Sequence, residues 1–86
     1  MGMFYRLEKK KRKELIMIFE SYLSMKNFQG MVKKIDKIIF DSGFSVFSKT
    51  VNEAGYMLEK AMLKEISDKD VMGMIKKLKS PLTAGA

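Results

Sequence analysis

The hydrophobic pattern of this chain predicts an all-α fold: four helices forming two pseudo-repeated long–short helical hairpins packed into a small bundle. Three observations carry that expectation. Apolar residues recur every three or four positions along nearly the whole sequence. Ser24, Gly43, Ser67 and Pro81 divide the pattern into four segments. A twelve-residue stretch recurs at an offset of 43, half of the 86 residues.

The first helix is expected over residues 4–23, with Leu15, Ile18, Phe19, Tyr22 and Leu23 as its stripe. Ahead of Leu15 the stripe thins to Phe4 and Leu7. The second is expected over 26–41, with Phe28, Met31, Val32, Ile35, Ile38 and Ile39 opposite Lys33, Lys34, Asp36 and Lys37. Ser24 is its expected N-cap, and Gly43 ends it because glycine accepts the left-handed conformation without strain. The third is expected over 45–66, where Phe44, Phe47, Val51, Ala54, Leu58 and Ala61 alternate spacings of three and four. That is a narrow seam of coiled-coil type. Residues 43–48 alternate weakly, but a lone strand gains little, so they read as a loop and first turn.

The fourth helix is expected over 68–79. Ser67 is its N-cap, and Asp70 completes a capping box. Asp68 and Asp70 stand at the positive end of the helix dipole, Lys76, Lys77 and Lys79 at the negative end, and Pro81 stops it. The domain covers residues 1–79, with repeat units 1–43 and 44–79, and 80–86 form a short tail in which Leu82 lies on the apolar stripe.

The repeat aligns SMKNFQGMVKKI (24–35) with SDKDVMGMIKKL (67–78), with six of twelve positions identical. A single hairpin cannot cover both of its faces, whereas two related by a two-fold axis can bury them together. Gly30 and Gly73 recur at matching positions and each costs about 1 kcal/mol of helix propensity, which points to a close helix approach. Phe44, Phe47 and Val51 lie where the third helix overhangs its short partner. They need cover, either from Phe4 and Leu7 or from a second copy, which makes a homodimer one of the expectations.

The charge is uneven. Residues 1–13 carry six basic side chains and one acid, and the rest of the chain eleven and nine, within a net +7. Lys9, Lys10, Lys11, Arg12 and Lys13 sweep round the helix, so the run is expected to be solvated on every side or to hold an anionic partner. With Lys33, Lys34, Lys76 and Lys77 they are the candidate nucleic-acid contacts. The absence of His and Cys removes the usual general base, thiol nucleophile and zinc ligands. No glycine-rich phosphate loop occurs, and Asp68 and Asp70 are explained by helix capping. No enzyme activity, cofactor, metal or small-molecule substrate is therefore expected. Nor is a secretory signal or a membrane span, and a cytoplasmic, intracellular location is expected.

Two resemblances are local. Residues 66–76, ISDKDVMGMIK, resemble the helix entering the last EF-hand of calmodulin-like proteins, but the twelve-residue acidic loop that holds calcium is absent. Ala61, Ile66, Val71 and Met74 match the apolar pattern of a DNA-binding helix-turn-helix. Lys60 and Lys64 would then be buried, and the recognition helix would open on two acids.

Nine methionines are many for this length. Met31, Met62 and Met74 fall on core stripes, while Met17, Met25, Met57 and Met72 fall off them and suit an adaptable surface. The function expected is thus a small non-enzymatic adaptor or regulator that binds another protein, possessing an interface of Phe44, Phe47, Val51, Met57 and Met72. Nucleic-acid binding through the basic run and paired lysines is the alternative.

Overall fold

The computed structural model describes residues 2–43 and 48–80, with side chains from Arg6 onward. Four helices follow in order: α1 (Gly2–Met25), α2 (Phe28–Asp41), α3 (Lys49–Met62) and α4 (Asp68–Lys79). No strand occurs among the described residues. At 24 residues, α1 is about 36 Å long, matching the molecule's longest dimension of 36 Å. It alone approaches each of the other helices; α2 and α3 lie against one another, and α4 lies against α1.

Leu15 and Phe19 on α1 are fully buried. They meet Met31, Ile35, Ile38 and Ile39 of α2, Val51, Ala54, Met57 and Ala61 of α3, and Val71, Met74, Ile75 and Leu78 of α4 in one continuous core. The seam does not stop at Leu15. It runs forward in steps of three and four through Arg12 and Glu8, each only 5% exposed. The expectation that no face of the basic run is buried therefore fails at Arg12, because α3 and α4 present polar groups to meet it.

Glu8 faces the first turn of α3, where the helix has N–H groups without intrahelical partners. Its carboxylate accepts from the Thr50 backbone N–H at 2.6 Å and from the Ser48 hydroxyl at 2.8 and 2.9 Å. Ser48 is the N-cap of α3, and its oxygen in turn accepts from the Val51 N–H at 3.1 Å. One turn along α1, Arg12 pairs with Glu53 of α3 at 2.9 Å and donates to the Lys77 carbonyl of α4 at 3.3 Å. An acid thus meets the positive end of α3, and a base meets the negative end of α4.

The helix boundaries depart from the sequence expectation at two turns. α1 continues to Met25, and Lys26 takes a left-handed φ of 54°. Asn27, not Ser24, caps α2, with its side-chain oxygen accepting from the Gly30 N–H at 3.0 Å. α3 ends at Met62, short of the expected 66. There Lys64 has φ 56°, the Lys64 N–H donates to the Ala61 carbonyl and the Glu65 N–H donates to the Lys60 carbonyl. That pair of bonds is a Schellman ending, built on lysine where glycine is usual. By contrast, Gly43 follows α2 with φ 66°, and the Ser67–Asp70 capping box opens α4, both as expected. The expected start of the third helix at 45 lies outside the described residues, as does any docking of Leu82.

The pseudo-repeat finds no support in the geometry. The backbone of α1 lies along that of α2, whereas the backbones of α3 and α4 stay apart and meet only through side chains such as Lys60 and Asp70, so the two hairpins differ. The two glycines differ as well. A Cβ on Gly30 would come within 2.6 Å of the Asn27 side chain that caps its own helix, while one on Gly73 would meet nothing within 4 Å. Neither marks a contact between helices.

Gly73→Ala should therefore raise unfolding stability by about 0.5–1 kcal/mol in urea titration. Gly30→Ala should show no such gain, since its methyl displaces the Asn27 cap.

The buried polar seam gives two linked expectations. Arg12→Ala strands Glu53 in the core and should cost about 3–5 kcal/mol, whereas Arg12→Met combined with Glu53→Met should recover most of that loss. Burial pushes the Glu8 carboxyl up, but hydrogen bonds from Thr50 and Ser48 and the charge of Lys11 outweigh it and hold the group below its ordinary 4.5. A depressed folded value stabilises the fold fully above that ordinary value and loses the effect as pH falls through the lowered one. The urea midpoint should decline below about pH 4.5, and less steeply in Glu8→Gln.

Candidate functional site

With Glu8, Arg12, Leu15 and Phe19 turned into the molecule, a second row of α1 side chains stands at its side: Leu7, Lys10, Lys11, Glu14, Met17, Ile18 and Ser21. The short link at Lys26 and Asn27 sends α2 back along this row, where it sets Lys34, Lys37, Ile38 and Asp41 opposite. Between the two helices lies an open groove of about 670 Å³. A shallower hollow sharing Ile18, Ser21 and Lys34 extends it to Met25 at the turn. From Leu7 to Ser21 the groove follows α1 for about 21 Å, or four turns.

The floor is apolar and the walls are charged. Ile38 is buried and Ile18 half-buried, while Leu7 and Met17 are exposed, Met17 at 67%. Lys10 and Lys11 rise from α1 and Lys34 and Lys37 from α2, with Glu14 and Asp41 between them. None of these six makes an ion pair among the described residues. Lysines on other faces do: Lys26 with Asp68, Lys60 with Asp70 at 3.3 Å, and Lys79 with Glu20 at 3.3 Å. The Asp70 carboxyl is held below its ordinary range by the Ser67 backbone N–H and hydroxyl and by Lys60. Lys26, Lys60, Lys77 and Lys79 thus have carboxylate partners, whereas Lys10, Lys34 and Lys37 beside the groove form no ion pair among the described residues and Lys11 acts only at a distance on Glu8.

The expected interface residues are not brought together. Val51 and Met57 belong to the core, Met57 with 1% exposure, which corrects their placement on a partner-facing surface. The inward face of α3 keeps Val51, Ala54 and Ala61 of the expected seam and adds Thr50, Glu53 and Met57, so it is wider and rotated toward Met57, with Leu58 half-buried at its edge. Met72 is exposed, at 60%, on α4 and away from the groove. Phe44 and Phe47 lie outside the described residues. Met31 and Met74 are core residues as expected, but Met62 is exposed because α3 ends there.

The candidate nucleic-acid contacts divide three ways. Lys9, Lys10 and Lys13 are exposed and Lys11 is half-buried, but Arg12 is buried against Glu53 and is unavailable to a phosphate. Lys33 and Lys34 are exposed on α2, with Lys34 at the groove. Lys76 and Lys77 are exposed on α4, and Lys77 lines a separate gap between α3 and α4, 4.0 Å from Glu53. The two Lys-Lys pairs are therefore not neighbours.

Among the described residues no cluster of carboxylates could hold a metal ion, and no helix is long and apolar enough to cross a membrane. No protein-family model, curated protein or solved structure matches the chain.

The rotated face of α3 has a direct test. Met57→Asp buries an unpaired carboxylate and should abolish cooperative unfolding, or cost more than about 3 kcal/mol, whereas Met72→Asp should stay within about 0.5 kcal/mol of the parent chain.

Proposed function

We propose that the chain is a small non-enzymatic adaptor or regulator that binds another protein through the groove between α1 and α2. The single observation that carries this reading is the pairing, in one groove, of an apolar floor with lysines that make no ion pair among the described residues. Exposed Leu7 and Met17 beside half-buried Ile18 offer area that gains from being covered, and methionine adapts to the shape of what covers it. The unpaired charges around them steer an oppositely charged partner and fix its register.

A non-enzymatic role is supported by how four of the ten acids are employed and by the residue types the chain lacks. Glu8 and Glu53 are held in the polar seam, and Asp68 and Asp70 are engaged by helix capping and by lysines. The chain supplies no His or Cys to work beside them. The nucleic-acid alternative is weaker on geometry, since Arg12 is committed to the core and the paired lysines stand apart.

The two readings separate by salt. Binding of labelled duplex DNA and single-stranded RNA should be no stronger than non-specific, with Kd at or above about 1 μM. Tight binding that falls by about 10³ between 50 and 200 mM salt and is lost in K9E/K10E/K13E would overturn the protein-binding reading. A photo-crosslinker at position 17 should form a discrete protein adduct that K34E/K37E abolishes, and the same group at position 72 should not.

A further inference from the structure

We infer that the groove's occupant is an acidic amphipathic helix of a partner protein, an inference that rests on the protein-binding reading above. Three features of the groove select this occupant.

The first is shape. Two helices lying side by side offer a furrow into which a third nests by the same ridge-and-groove contacts that hold the first two. A furrow of about 21 Å takes about fourteen helical residues, four turns of a single partner segment. Side chains spaced by three and four along such a segment would fall in one line onto Leu7, Met17, Ile18 and Ile38.

The second is charge. The lysines stand on both walls, Lys10 and Lys11 on α1, Lys34 and Lys37 on α2. A helix with an apolar stripe flanked by carboxylates on both sides answers that arrangement residue for residue. Glu14 and Asp41 make the match more specific, because a partner position facing either should be neutral or basic.

The third is the mismatch of other occupants. A second copy docked groove to groove would set lysines against lysines. A nucleic-acid backbone would leave the apolar floor uncovered and bring phosphates against Glu14 and Asp41. A flat lipid surface would not reach into a furrow between two helices.

The test uses three labelled fourteen-residue peptides and the intact chain. One carries leucines at alternating spacings of three and four, flanked by glutamates. The second has the same composition with the pattern scrambled, and the third has lysine for every glutamate. Fluorescence anisotropy should show the patterned acidic peptide binding at least about tenfold tighter than either control. K34E/K37E should weaken it by a similar factor, and because both lysines are exposed the variant keeps its helices, which circular dichroism verifies. M72D should leave binding unchanged. Backbone amide shifts on peptide addition should cluster between Leu7 and Met25 and between Lys34 and Asp41.

Equal affinity of the patterned and scrambled acidic peptides would overturn the inference, as would amide shifts confined to α3 and α4. Displacement of the peptide by duplex DNA at lower concentration than by unlabelled peptide would also overturn it, in favour of a nucleic-acid ligand. If the crosslinker at position 17 captures a partner while the patterned peptide fails to bind, the acidic helix falls and the protein-binding reading stands.

Discussion

Everything else in this molecule leans on the way α1 is fastened to the ends of its neighbours. Helix termini carry unpaired backbone groups and partial charge, and a bundle that buries them must supply partners. Here one helix does so twice, from side chains one turn apart. Glu8 accepts from the Thr50 N–H and the Ser48 hydroxyl at the start of α3, and Arg12 donates to a carbonyl at the end of α4 while pairing with Glu53. The Coulombic gain of such a buried pair is offset by the loss of water, so its net contribution to stability is small. Its larger effect is positional. A displaced α3 or α4 would leave a charge in the core unmatched, so the helices are held to one register along α1.

The same geometry divides α1 lengthwise. Its inward row is Glu8, Arg12, Leu15 and Phe19, and its lateral row is Leu7, Lys10, Lys11, Glu14, Met17 and Ile18. The inward charges are held by hydrogen bonds and an ion pair to α3 and α4, while the lateral ones form no ion pair among the described residues. A run of consecutive basic residues thus holds two kinds of side chain with different duties, and what separates them is the angle of about 100° between successive positions.

Much of the architecture was legible in the sequence. The number and order of the helices, the Ser67–Asp70 cap and the role of Gly43 all follow from periodicity and cap chemistry. The two misplaced boundaries share a cause. Lys26 and Lys64 adopt the left-handed conformation at helix ends, and a lysine carries no sign of it. Reading the third helix four residues too far made Met62 look internal. The buried seam was hidden because charged residues are assigned to solvent by default. Yet Glu8 and Arg12 continue the spacing of Leu15 and Phe19, and that continuation was the available signal. The groove was half visible: Met17 stood out as an apolar residue off the main stripe, but nothing in one sequence says that α2 brings Lys34 and Lys37 beside it. The face of α3 was read correctly at Val51, Ala54 and Ala61 but too narrowly, because Leu58 and Met57 are neighbours of similar apolarity and only the contacts show that Met57 is the more deeply buried.

The connection between the first helix and the last also shapes how the chain reaches its fold. Arg12 and the Lys77 carbonyl are 65 positions apart, while α2 follows α1 after two residues. Contacts so distant in sequence close late, because the intervening chain must first be ordered. During synthesis α1 emerges before α4, so the side of α1 that α4 covers stays open until α4 has followed. The helix on which the others depend is thus fully covered only when the last of the four has docked, and until then one of its faces stays bare.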